Sequence, residues 1–475
     1  MLRDWEIDFD RLYAYVQGRL SGKNSYYRDF HANALLIYLA FGQRLSLDFG
    51  RSIRLIIKRL IVYFVGHVSL FWLSRKSNQW DFVVVITEPN HTDQFEAVYK
   101  MLSGKLRVLV ITDKIEYLLN LYKVHGLLLL IPDGIGPAPD NKNLSSFLAD
   151  IQTRCENGLL VNTIKSIIQL SAYKISFAAD ALNTIASKNK LRGVLVYNDH
   201  TPLGRIIVDG SNNLGIPSYY SMHGLLSDEY IEGMHICSKY FVYGEATKSI
   251  FTRRGLRTDQ IEVVGSPYMD TKMRPENSQV SIIRSELKIP SASKVVLVAL
   301  SGPGHTTSLA HHQAILKCME PEVARQKEHI FFLFKLHKKD NAKFYADIQS
   351  LSSGNFSIVT YGLFHGRDTI WDWISLADVI VTGASTAGME AMILSKPVVT
   401  IDLFNEYSDE TVFIRQGATF HVTQHSQIQA QLERALLNDD EGILSNAKKF
   451  VAEAYFKLDG KAGERIASRI LNNPI

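Results

Sequence analysis

Cysteine is scarce: Cys155, Cys237 and Cys318 are spread through 475 residues without a C-x-x-C pair. That spacing excludes a disulfide scaffold and a zinc knuckle, and it fits a reducing compartment. Charge of one sign is scarce as well. The net charge of +4 is the balance of 52 basic and 48 acidic side chains, so no nucleic-acid partner is expected. The opening run Met1-Leu-Arg-Asp-Trp-Glu6 lacks the basic start and apolar core of a signal peptide. Leu60 to Leu73 is an apolar stretch of about 14 residues, interrupted by Gly66 and His67, and falls short of the roughly 20 needed to span a bilayer. Arg51, Arg54, Lys58 and Arg59 precede it, and Arg75 and Lys76 close it. Residues 51–76 therefore read as a buried helix with a solvated basic end, or as a helix lying in a membrane interface. The expected location is the cytoplasm, with peripheral membrane contact through 51–76 under the second reading.

What is present is a packed globular composition, 46% hydrophobic and 21% charged, at a length that suggests two or three domains. Residues 1–77 read as helical. From Asp81, short apolar runs alternate with amphipathic stretches: 82–87, 107–112 and 127–131, then, after a helical stretch over 144–190, 194–197, 217–220, 240–243 and 261–264. Runs apolar throughout suit parallel strands covered on both faces. The polar stretch 268–293 reads as a linker. A second series follows at 295–300, 330–334, 356–359, 379–381 and 397–401, with closing helices over 426–471. The expectation is an α/β chain with a helical segment (1–77) and two doubly wound domains (78–275 and 276–475) facing across a cleft. Ligands of such sheets sit beyond the carboxyl ends of the strands.

Several strand ends carry chemistry. Ser301-Gly-Pro-Gly-His-Thr-Thr307 follows the strand at 295–300; Gly302 and Gly304 permit close backbone approach, and His305 and Thr306 add polar groups for an anion. Read alone, it is as well explained by a plain βα turn. Lys335, His337 and Lys338 leave the strand at 330–334 and suit a phosphate or carboxylate, or a solvated loop. Gly383-Ala-Ser-Thr-Ala-Gly-Met-Glu390 opens a helix, placing Ser385 and Thr386 where amides and hydroxyls hold phosphate and Glu390 where a carboxylate accepts two hydroxyls. The alternative is an ordinary N-cap with an exposed glutamate. In the first series, Asp199 and His200 end one strand and His223 the next, at what reads as the cleft edge; each is a candidate base. Gly265 and Ser266 close the last strand beside the hinge.

His223-Gly, Tyr243-Gly-Glu245, Gly255 and Val264-Gly-Ser-Pro-x-x-Asp270, with Lys335-Leu-His337 and the Ala377-Asp-Val…Ser385-Thr…Glu390-Ala-Met…Lys396-Pro-Val-Val run, resemble bacterial surface-polysaccharide glycosyltransferases of the GT-B fold. The same residues resemble CDP-glycerol glycerophosphotransferases and non-hydrolysing UDP-N-acetylglucosamine 2-epimerases, over about residues 190–405. The resemblance implies that Ser385 and Thr386 meet the donor phosphate, Glu390 the ribose, and His337 the phosphate or sugar acid. Relatives using CMP- or CDP-linked donors commonly show His-Pro where this chain has His337-Lys338, which leaves the donor base open. Asp199-His200 resembles the pair of Kdo- and sialic-acid-type transferases, whose aspartate acts on the anomeric carbon or acceptor.

These readings converge on a glycosyltransferase moving a sugar from a nucleotide-sugar donor to a glycan or lipid-linked acceptor in capsule or lipopolysaccharide synthesis. Neither βα series contains an Asp-x-Asp triplet, so a metal-independent reaction without cofactor is expected. Asp199 is the first choice for activating the acceptor hydroxyl, with His200 or His223 as alternatives. A 2-epimerase-like isomerase, a CDP-glycerol-type glycerophosphotransferase and a non-catalytic nucleotide-binding scaffold are the competing readings.

Overall fold

The structure, a computed structural model, describes residues 65–71, 73–75, 79–113, 128–131, 174, 176–199, 201–224, 236–253, 255–273, 277–303, 307–325, 329–337, 340–360, 369–383, 385–407 and 412–472. Two parallel sheets organise them. The first has seven strands in the order β3-β2-β1-β4-β5-β6-β7, and the second has six in the order β10-β9-β8-β11-β12-β13. In the first sheet β1 (Phe82–Val85), β2 (Val108–Thr112), β3 (Leu128–Leu130) and β4 (Gly193–Val196) are followed by β5 (Ser218–Ser221), β6 (Lys239–Val242) and β7 (Ile261–Val263). In the second, β8 (Lys294–Val298), β9 (Ile330–Lys335) and β10 (Phe356–Val359) precede β11 (Val379–Thr382), β12 (Val398–Ile401) and β13 (Phe420–Val422). Twelve of these strands coincide with the apolar runs read from the sequence to within two residues at either end. The two-sheet α/β architecture is the one expected.

The apolar runs are strands because both faces of each sheet are covered. Every residue of β1 and β2 is buried, as parallel sheets flanked by helices require. Helix α1 (Pro89–Leu102) follows β1 and α2 (Pro202–Asn213) follows β4, each with proline in its first turn, where the missing amide is no loss. The Thr201 hydroxyl caps α2 by accepting from the Gly204 amide.

Two readings need correction. The stretch 268–293 is not a plain linker: α4 (Pro267–Lys272) and α5 (Asn277–Glu286) lie in it, after α3 (Glu245–Arg253). Buried Met269, buried Ile283 and the partly buried Met273, Val280 and Leu287 recur at helical spacing and pack on the core. The flanking prolines and the serines within α5 conceal that period. Strand β13 escapes the sequence pattern because it is three residues long, with half-buried His421 between buried Phe420 and Val422.

The chain end returns to the first sheet. After α6 (Leu309–Arg325), α7 (Ile370–Leu376), α8 (Thr386–Ile393), α9 (Ile428–Leu437) and α10 (Glu441–Ala454), helix α11 (Ala462–Asn472) packs on α1. Its Ile466, Ala467 and Ile470 share a core cluster with Phe82, Val84 and Phe95. Arg465 Nε donates to the Val264 carbonyl at 2.7 Å, and the Gly463 amide to the Asp270 carboxylate at 2.7 Å. Residues 51–64, 72 and 76, including the basic residues Arg51 to Arg59, lie outside the described residues. In the adjoining helical stretch Leu73 is buried, while Val68 and Phe71 are exposed. No described helix is long and apolar enough to cross a membrane.

A side chain at Gly463 would place its Cβ 2.7 Å from the Ala97 main chain. Gly463→Val is expected to prise α11 from α1 and to cost about 1–3 kcal/mol of stability, seen as a lower denaturant midpoint with an unchanged slope.

Candidate functional site

Each sheet reverses its strand order once, between β1 and β4 and between β8 and β11. At such a reversal the flanking crossovers leave to opposite faces and open a crevice at the carboxyl ends of the strands. Among the described residues, Gly302, Lys335, His337, Ser385, Thr386 and Glu390 follow or flank strands around the second place, and Asp199 and His223 follow strands at and next to the first.

In the second sheet, Gly302 follows β8 with φ +74° and lies against the Asp340 main chain, so close that a Cβ would sit 3.3 Å from the Asp340 nitrogen. The left-handed backbone and the close approach both favour glycine. Beside it, β9 ends at Lys335, whose ammonium stands 5.4 Å from the Trp373 ring centroid. Half-buried His337 follows, its carbonyl accepting from the Asp340 amide at 2.8 Å. Gly304, His305, Thr306 and Lys338 lie outside the described residues. On the other side of the crevice Thr382 ends β11, its hydroxyl donating to the Ala299 carbonyl at 2.7 Å. Gly383 lies under the Tyr407 ring, where a Cβ would be 2.8 Å away.

Ser385 is the N-cap of α8, its hydroxyl accepting from the Ala387 amide at 3.3 Å, and Thr386 is exposed at the first turn. The N-cap reading of Ser385 is therefore realised, and the amides of that turn remain a place for an anion. Glu390 is not the exposed glutamate of the bland reading: it is 6% exposed. Burial lifts its carboxyl to about 7, against the opposing influence of the Tyr268 hydroxyl beside it. Tyr268 belongs to α4, so Glu390 faces the junction of the two sheets.

In the first sheet the candidate bases part company. Asp199 is not at the cleft edge but fully buried. Its Oδ2 accepts from the Tyr240 hydroxyl at 3.1 Å and the Ile236 amide at 3.3 Å, so its known contacts face inward. His200 lies outside the described residues. His223, two residues beyond β5, is half-buried. Its imidazole is held below its usual pKa by burial, while the Tyr197 carbonyl and the Asp199 carboxylate act in the opposite direction.

Behind His223 stands a residue that sequence reasoning missed. His91, on the first turn of α1, meets the His223 ring edge-on at 4.8 Å between centroids and stacks on Tyr197 at 5.4 Å. Its Nδ1 accepts from the Thr87 amide at 3.4 Å, and burial followed by the proximity of His223 lowers its pKa well below the usual value. Ser266 and Gln94 flank the Tyr243 hydroxyl, and neither completes a well-formed hydrogen bond. Gly265, at φ +88°, lies where a Cβ would be 2.6 Å from the Phe456 carbonyl. It is a packing position between β7 and the returning C-terminal segment. A histidine two residues after a proline that opens the helix following β1 was the signal available for His91.

The proton on Glu390 has a consequence for stability. Between its ordinary value of 4.5 and about 7, the folded chain retains a proton that the unfolded chain releases, so stability falls as pH rises through that window. Glu390→Gln keeps an acceptor for Tyr268 and removes the charge. It is expected to raise unfolding free energy at pH 8 by up to about 3 kcal/mol, the gain fading as pH falls toward 4.5. Denaturant titrations across that range check it.

No curated protein sequence matches the chain. Solved structures do. UDP-GlcNAc 2-epimerase from Neisseria meningitidis bound to UDP-GlcNAc has a TM-score of 0.56 at 17% identity, over 83% of this chain and 100% of that one. The enzyme of the same name from Methanocaldococcus jannaschii gives 0.55 at 16% identity, over 83% and 100%. The S. aureus MnaA–UDP co-structure gives 0.51 at 15% identity, over 82% and 95%. Identities this low establish the shared fold alone. The family model of CDP-glycerol:poly(glycerophosphate) glycerophosphotransferase matches residues 159–472, from ahead of β4 through α11, and the chain belongs to that family of transferases.

Proposed function

We propose that the chain transfers a polyol-phosphate group from a CDP-activated donor to a hydroxyl of a glycan or lipid-linked acceptor in surface-polysaccharide synthesis. The family match over residues 159–472 carries this reading. The donor belongs at the second sheet, its phosphates against the start of α8 at Ser385 and Thr386 and against Lys335 and His337. Its ribose hydroxyls belong at Glu390. The acceptor belongs at the first sheet, where half-buried His223 is the base. Asp199 is a positioning residue behind it.

In the reaction, His223 takes the proton from the acceptor hydroxyl. The oxygen then bonds to the phosphorus that carries the polyol, and the bond from that phosphorus to the bridging oxygen breaks. CMP leaves with that oxygen, and its charge is met by Lys335, His337 and the α8 amides. A second reading is transfer of a sugar from a nucleotide sugar, which the motif resemblance to surface-polysaccharide glycosyltransferases favours. There the carbon–oxygen bond at the anomeric centre breaks, and the nucleotide leaves with that oxygen, as a nucleoside diphosphate or, from a CMP-linked sugar, as CMP. An acceptor at a membrane would meet the exposed Val68 and Phe71.

Nucleotide product separates the readings. Incubation with CDP-glycerol and a glycan-phosphate acceptor is expected to release CMP in step with acceptor extension. CDP or UDP release from a nucleotide sugar would instead establish sugar transfer, and epimer formation from UDP-N-acetylglucosamine without acceptor would establish an isomerase. His223→Ala should lower kcat by 100-fold or more, the usual range for loss of a general base. The acid limb of kcat/KM should lie below 6.5, because burial depresses His223. Asp199→Asn removes an influence that raises that pKa, so the limb should move to still lower pH. A limb unmoved by both substitutions would exclude His223 as the base.

A further inference from the structure

Two adjacent histidines on the first turn of α6, His311 and His312, are both fully buried, and no step of the proposed reaction uses them. Successive helix residues point about 100° apart, and these two reach toward the ends of different strands.

His311 reaches toward β12. The Leu403 amide donates to its Nε2 at 3.0 Å, so that nitrogen carries the lone pair, and Nδ1 donates to Glu406 at 3.0 Å. Its ring stacks on Phe404 at 5.0 Å and on Tyr407 at 5.1 Å. Tyr407 hydrogen-bonds Thr307 at the end of the glycine loop and covers Gly383 ahead of α8. Asp402 completes the loop by accepting from the amides of Glu406 at 2.7 Å and Tyr407 at 2.9 Å.

His312 reaches toward β9. Its Nε2 stands 3.4 Å from Asp340 Oδ1. Asp340 also accepts from the Tyr345 hydroxyl at 2.6 Å and the Asn341 amide at 2.8 Å, and its own amide holds the His337 carbonyl. Its main chain is the surface against which Gly302 lies.

We propose that His311 and His312 are positioning residues of the nucleotide-donor site, holding residues 402–407 and Asp340 in register with Thr307 and Gly302. The inference rests on the placement of the donor at the second sheet. Three loops leave three different strands, and a phosphate-binding geometry shared among them needs a fixed spacing. His311, with one nitrogen accepting and the other donating, and His312, within 3.4 Å of the Asp340 carboxylate, supply it, in the way a second layer orients the groups that touch a ligand.

The test uses the full-length chain. His311→Phe keeps the ring stack on Phe404 and Tyr407 and removes both hydrogen bonds, and His312→Phe removes the contact with Asp340. CDP and UDP are titrated calorimetrically, and KM is measured separately for CDP-glycerol and for acceptor. The tighter-binding nucleotide should lose tenfold or more in affinity in each variant. KM for donor should rise alike while KM for acceptor stays within twofold, and His311→Gln should recover most of the loss. Should the phenylalanine variants fail to fold, Glu406→Ala, a change at the loop surface, should give the same selective weakening. Variants that bind nucleotide like the wild type, or that shift both KM values together, would overturn the positioning role and leave the donor site standing. A wild type that binds neither nucleotide would overturn both.

Discussion

The reversal of strand order at the centre of each parallel sheet is the constraint on which the rest depends. It fixes where side chains can converge without being buried by a crossover helix. The loops after β8, β9, β11 and β12 surround one such place and the ends of β1, β4 and β5 the other. Charged residues such as Lys335 and His337 lie there because the central strands ahead of them are covered on both faces. The returning helix α11, locked onto α1 through Gly463 and onto β7 through Arg465, ties the end of the chain to the first sheet.

The two crevices differ in electrostatic character. The second offers Lys335 at the end of β9 and the N-terminal turn of α8, with Glu390 held partly protonated by burial. That arrangement suits phosphates and hydroxyl donors. The first presents two histidines whose burial favours the neutral form, backed by Asp199 and Tyr197. A neutral imidazole is what proton abstraction from a hydroxyl requires. The proposed division of labour, a stabilised leaving group on one side and an activated nucleophile on the other, is built on these two environments.

Much of this was legible in the sequence. Runs such as Val83-Val-Val85 and Leu109-Val-Ile111, apolar at every position, identify buried parallel strands, and residues such as His337 and Ser385 stand out because they follow such runs at once. The partners that give those residues their environment were not legible. Glu390 reads from the sequence as a ribose-binding carboxylate or an exposed helix glutamate, and its burial beside Tyr268, 122 positions earlier, shows in neither reading. Asp199 reads as a cleft acid until Tyr240 and Ile236 enclose it. His91, His311 and His312 lie on helices whose apolar faces they share, and helical periodicity cannot tell a wired histidine from a packed one. Helices α4 and α5 were hidden for a related reason: Pro275 and Pro290 lie outside them, and Ser278, Ser281 and Ser285 lie within α5 without ending it.

The central claim is that the activated donor is gripped at the carboxyl ends of the second sheet. Amide hydrogen exchange of the full chain with and without saturating CDP tests it most directly. The account predicts slowed exchange in the loops after β8, β9, β11 and β12 and in the first turn of α8, with the segments after β4 and β5 unchanged. Slowed exchange confined to the segments after β1, β4 and β5 would contradict it.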